Sequence, residues 1–208
     1  MNFFFLFILI FFSFVCSAQE RFNYYKIDTV QVNNLSTLKK RSFYQTNDSK
    51  ELLFYIKNSD RKYKLIFTFT HWCKPCKVMH PKVLSLKENK DLDIFFLTDA
   101  YDGRDFLSTE KYLDEIGNVS PIFSLGDNSR FMNNRKKYDY FIYDPKKQKK
   151  VKVNRYDFFI QNLIPNHHDY GYSLLVLYNQ KNQPVYASTF KETDEQIMKK
   201  IKAIIDNQ

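Results

Sequence analysis

A three-layer α/β domain, with helices on both faces of one central sheet, is what this sequence predicts. Lys64 to Thr70 and Leu92 to Thr98 are short runs that are apolar on both faces, as strands covered from both sides are. Segments of helical periodicity alternate with them, and the last forty residues read as strand, turn, strand and helix. A length of 208 residues suits one domain with a sizeable core, or one domain carrying a large insertion.

The elements follow in order. After a polar stretch from Glu20 to Thr46, Asp48 or Ser49 can cap a helix through Leu52, Leu53 and Ile56, broken by Asn58 to Arg61. The first strand, Lys64 to Thr70, runs directly into a helix whose apolar positions are Val78, Met79, Val83 and Leu86. Leu92 to Thr98 is the second strand. A helix is expected from near Ser108, with Tyr112, Leu113 and Ile116 inward and Gly117 as its C-terminal cap. Pro121 to Leu125 reads as a strand, Tyr138 to Tyr143 and Val151 to Asn154 as a hairpin around Asp144-Pro145, and Tyr156 to Leu163 as a helix ended by Pro165. Ser173 to Tyr178 and Val185 to Thr189 form the last hairpin. Thr193 and Gln196 make a capping box for a helix carrying Ile197, Met198, Ile201, Ile204 and Ile205 on one face.

The net charge of +9 is not joined to any nucleic-acid-binding motif. Lys, Asn, Ile, Phe and Tyr are over-used together, which is a compositional bias rather than a binding patch, and no nucleic-acid partner is expected. Phe3 to Val15 is apolar and too short for a mature membrane span, and Cys16-Ser17-Ala18 supplies a signal-peptidase site. Residues 1–18 are therefore expected to be a signal peptide. Acylation of Cys16 is the alternative, and both readings place the protein outside the cytoplasm, in a periplasm or secreted. Of three cysteines, cleavage would leave Cys73 and Cys76, a close pair without stapling disulfides, which points to chemistry rather than scaffolding.

In His71-Trp72-Cys73-Lys74-Pro75-Cys76, two cysteines separated by two residues open a helix. The first sits at the helix N-terminus, where free N–H groups and the helix dipole stabilise a thiolate by up to about 2 kcal/mol. Lys74 adds positive charge. Cys73 is thus expected to be the exposed attacking thiol, and Cys76, one turn deeper, the sheltered resolving thiol. Pro75 fits the first helical turn, and Pro81 should kink the helix further on.

The run Trp72-Cys73-Lys74-Pro75-Cys76-Lys77-Val78-Met79-His80-Pro81 resembles the active site of the thioredoxin-like superfamily, including the proline five residues after the second cysteine. The resemblance is to extracytoplasmic thiol–disulfide oxidoreductases with a Trp-Cys-x-Pro-Cys motif. It implies a thioredoxin-like sandwich with a central mixed sheet, catalytic Cys73 and Cys76, and an environment of Trp72, Lys74, Pro75, Pro81 and Tyr172. It further implies protein disulfide or dithiol substrates, an electron donor, a role in cell redox homeostasis, and no cofactor or metal. Residues 19–47 become an N-terminal extension, and 48–208 the domain, with an insertion at about 120–166 before the C-terminal hairpin.

Two positions depart from the family pattern. A buried Asp on the strand before the motif is replaced by Phe67, leaving Asp99 or water as proton acceptor. The cis-proline place before the terminal hairpin falls on Tyr172, with Pro121 as the rival. His71 and His80 bracket the cysteines, so a metal-binding or redox-inactive module is the alternative reading. His167-His168 reads as a loop pair.

Overall fold

A computed structural model describes residues 25–26, 43–46, 49–100, 103–125, 140–144, 147–165, 167 and 171–206. The segment 1–18 with Cys16, the alternative cap Asp48, and His168 lie outside the described residues. The elements are β1 (Tyr25–Lys26), β2 (Phe43–Thr46), α1 (Ser49–Lys57), β3 (Tyr63–Phe69), α2 (Lys74–Ser85) and β4 (Leu92–Thr98). There follow α3 (Gly103–Glu115), β5 (Ile122–Leu125), β6 (Tyr140–Asp144), β7 (Lys149–Val153), α4 (Arg155–Leu163), β8 (Leu175–Tyr178), β9 (Pro184–Ala187) and α5 (Asp194–Asp206).

The main sheet runs β1-β2-β5-β4-β3-β8-β9. Its members from β1 to β3 are parallel to their neighbours, whereas β8 and β9 are antiparallel, so the sheet is mixed. Strand alternation divides two cores. Leu65, Phe67 and Phe69 of β3 face one side, where Met79 and Val83 of α2, Tyr112 and Leu113 of α3, and Ile197 and Ile201 of α5 cover them. Ile66 faces the other, beneath Leu52 and Ile56 of α1 and Phe159 and Ile160 of α4. This is the expected three-layer arrangement.

Three expectations are corrected. The sheet crosses the expected boundaries: Phe43–Thr46 is a strand although it fell in the extension, and it pairs with β5, which fell in the insertion. Among the described residues only β6 and β7 stand apart, as a two-stranded ribbon. Helix α3 begins at Gly103 rather than near Ser108, because Phe106 is buried edge-on to Phe43, with ring centroids 5.3 Å apart. Val78 is not an apolar core position but 56% exposed: it lies on the outer face of α2 beside buried Met79. Gly117 does cap α3: it takes φ +67°, while the Asn118 N–H donates to the Leu113 carbonyl at 2.9 Å.

Candidate active site

The chain leaves β3 at Phe69 and reaches α2 through one turn, closed by the Cys73 N–H donating to the Thr70 carbonyl at 3.2 Å. Cys73 is the N-cap of α2, and its Sγ accepts the Cys76 N–H at 3.2 Å, so the sulfur takes up one of the free donors at the helix start. Cys73 and Cys76 are joined as a disulfide, with Cα atoms 5.2 Å apart. Pro75 lies within the first turn, where its missing N–H breaks no bond. Lys74 is exposed at the same end, beside the positive pole of the helix dipole. Pro81 lies on the outer face, and α2 continues through it to Ser85.

The two cysteines differ in access, but less than expected. Cys76 is fully buried and Cys73 retains only 7% exposure, so the oxidised pair is recessed and Cys73 is not an open thiol. Trp72 stands outside them, 59% exposed. Its ring meets Tyr172 edge-on at 5.1 Å. Tyr172 lies three residues before β8 and packs against both cores, including the one that holds the cysteines. Pro121 instead precedes β5, which is separated from β3 by β4.

The segment before β8 is tightly held. Ser173 has φ +76°, a left-handed conformation uncommon for a residue with a side chain, and its N–H donates to the Thr68 carbonyl at 2.8 Å. The Leu174 N–H turns to Thr68 Oγ1 at 3.0 Å, and the Tyr156 hydroxyl donates to the Gly171 carbonyl at 2.6 Å. Tyr156 is buried, and burial pushes its phenol well above the ordinary range, keeping it a neutral donor. The exposed ring of Phe190 lies against Gly171, so a Cβ there would have to push that ring aside.

Phe67 is fully buried on the cysteine side of the sheet and meets His80 edge-on at 5.1 Å. Asp99 accepts a hydrogen bond from the Tyr172 hydroxyl at 2.5 Å. His80 is fully buried one turn beyond Cys76. Asn118 Nδ2 lies 2.9 Å from its Nε2 and the Tyr112 hydroxyl 3.1 Å from its Nδ1. Burial, and then the charge of Lys87, lower its pKa to about 3. Both ring nitrogens of His80 are thus engaged inside the core, by Asn118 and Tyr112. His71 sits with its Nδ1 3.4 Å from Thr109 Oγ1. Sequence reasoning missed Tyr156, Thr68 and Phe190 as partners of the segment before β8, because each is far from it in the chain.

No family model and no curated protein matches the chain. Among solved structures it is similar to the thioredoxin domain of a thiol-disulfide oxidoreductase from Bacteroides vulgatus, at 13% identity, covering 69% of this chain and 79% of that one, TM-score 0.44. It is also similar to a secreted Mycobacterium tuberculosis disulfide oxidoreductase, at 10% identity, covering 68% and 81%, TM-score 0.39. A third is yeast Sco1, at 19% identity, covering 71% and 85%, TM-score 0.37. The order of the sheet, the helices on its two faces, and the cysteine pair between β3 and α2 define the fold as thioredoxin-like.

Proposed function

We propose that this protein is a thiol–disulfide oxidoreductase acting outside the cytoplasm on protein disulfides, in the reducing direction. The observation that carries the reading is the Cys73–Cys76 disulfide at the first turn of α2, with Cys73 as the helix cap. In the reduced state the thiolate of Cys73 attacks one sulfur of a substrate disulfide. This forms a mixed disulfide and releases the other substrate sulfur as a thiolate. Cys76 then gives its proton to water and attacks Cys73 Sγ, re-forming the intramolecular disulfide and releasing the second substrate sulfur as a thiolate that takes a proton back from water. Two electrons pass from the dithiol to the substrate, and an external dithiol donor resets the pair. The helix N-terminus favours negative charge on Cys73, and its residual exposure against none for Cys76 supports the division of labour. The Lys-Pro pair between the cysteines supports the reducing direction by resemblance. Export rests on the apolar run Phe3 to Val15 before Cys16-Ser17-Ala18.

The test is a mixed-disulfide trap. After reduction, a limiting alkylating agent near neutral pH is expected to label Cys73 before Cys76. Cys73→Ser should abolish reduction of insulin, while Cys76→Ser should still attack and accumulate a covalent complex with its substrate. Equal labelling, or full activity in Cys73→Ser, would overturn the mechanism. Mass spectrometry of envelope protein should find Gln19 as the first residue; a lipid on Cys16 would replace cleavage by anchoring.

A further inference from the structure

Asp99 is a buried acid, 3% exposed, directly after β4. Its partner, Tyr172, comes from the far side of β3, since β3 lies between β4 and β8. The bond between the Tyr172 hydroxyl and Asp99 Oδ2, at 2.5 Å, therefore spans the end of β3 at which the chain turns toward Cys73. A phenol donating to a carboxylate is a charge-assisted bond, among the stronger ones available to side chains. The Tyr172 ring meets Trp72 edge-on at 5.1 Å and Tyr156 at 4.5 Å. Tyr156 in turn grips the residue before Tyr172 through the Gly171 carbonyl at 2.6 Å, and reaches β3 through Thr68 Oγ1 at 2.8 Å. A residue with positive φ, Ser173, follows directly. Local strain of this kind persists where the surroundings over-determine it. Here they are two hydroxyl anchors, one on each side of the chain.

We propose that Asp99 is a positioning residue. By accepting the Tyr172 hydroxyl it pins Tyr172 against Trp72 and so fixes the aromatic wall beside Cys73 on which a polypeptide substrate lies. The kinetic consequence rests on the disulfide-exchange reading; the structural one does not. Asp99 acts through Tyr172, so its loss should weaken the use of a protein substrate without touching the intrinsic reactivity of Cys73.

Trp72 is the only tryptophan, so its fluorescence reports the wall directly. Asp99→Ala, and Tyr172→Phe, which removes only the hydroxyl, should each shift Trp72 emission to the red. Asp99→Asn, which keeps an acceptor oxygen, should restore most of the parent emission. With insulin as substrate, Asp99→Ala should raise KM roughly tenfold, the size expected for one charge-assisted hydrogen bond. The rate at which a small alkylating agent labels Cys73 should stay near the parent value. Unchanged emission in both Asp99→Ala and Tyr172→Phe would overturn the pin. An equal loss in Cys73 labelling would overturn the positioning role in favour of a direct one. Should the parent protein fail to reduce insulin, the proposed function falls while the emission measurements still decide the pin.

Discussion

His80 is fully buried among Phe67, Phe69 and Phe96, and its hydrogen bonds determine its proton. Asn118 Nδ2 only donates, so His80 Nε2 accepts and the single proton sits on Nδ1, facing the Tyr112 oxygen. A second proton would have to enter at the nitrogen that Asn118 occupies, within an apolar surround. Burial and Lys87 therefore hold the folded pKa near 3, against an ordinary value near 6.5. Between those values the unfolded chain binds a proton that the folded chain refuses. Stability from this residue is thus complete above pH 6.5, declines as pH falls below it, and levels off near 3. The slope is about 1.4 kcal/mol per pH unit, or about 2 kcal/mol by pH 5. Urea unfolding at pH 7 and pH 5 tests this. His80→Phe should be less stable at pH 7, because Asn118 and Tyr112 lose a partner, yet should lose about 2 kcal/mol less than the parent on acidification. Parallel losses in the two proteins would show that His80 does not carry the acid sensitivity.

Among the elements, α5 shows what a four-residue signal can specify. The Thr193 N–H donates to Gln196 Oε1 at 2.9 Å, and the Gln196 N–H returns to Thr193 Oγ1 at 3.3 Å. Asp194 and Glu195 add negative charge in the first turn, and Lys82 of α2 bridges to both at 3.3 and 3.0 Å. These ion pairs face solvent, so the cap should outweigh them. Thr193→Ala is expected to cost about 1 kcal/mol and Lys82→Ala less than about 0.5 kcal/mol, read as shifts in the thermal midpoint. The reverse order would assign the helix start to the ion pairs instead. Such caps are local, and so were readable in the sequence, as were Gly117 and the cysteine motif. What escaped depends on distant partners. Phe43–Thr46 has too short a pattern to declare itself a strand before β5 is known to pair with it. The start of α3 is set by Phe106 against Phe43, far away in the chain. Val78 has helical spacing but points outward. At the site, Asp99 and Tyr172 each drew attention singly, for a missing acid and a missing proline. Only the folding of β4 and β8 onto opposite sides of β3 shows that they belong to each other.

At the scale of the molecule, β3 contributes to both cores, as β4, β5 and β8 do, so the candidate site stands at the end of a strand built into the centre of the fold. Every residue from Tyr63 to Phe69 is buried, Lys64 included, whose amine is pushed below its usual pKa chiefly by desolvation. Opening β3 would expose both cores at once and so amounts to unfolding the domain. The β6–β7 ribbon has a different standing. It forms its own two-stranded sheet, and one face carries Phe141 and Tyr143 opposite Lys152 and Lys150, all exposed. Two strands alone are marginal in water, and this ribbon buries only its other face in part. Hydrogen exchange followed by mass spectrometry should therefore separate the two. Amides of Ile66, Leu97 and Val176 should exchange only through global unfolding, and their rates should rise steeply with small additions of urea. Amides of Ile142 and Val151 should exchange faster through local opening, with little urea dependence, because that opening exposes little new surface. Equal protection with equal urea dependence would mean that the ribbon and the main sheet unfold as one cooperative unit. Removing the ribbon's partly buried face, by Ile142→Ser, would then destabilise β3 and the cysteine pair along with it.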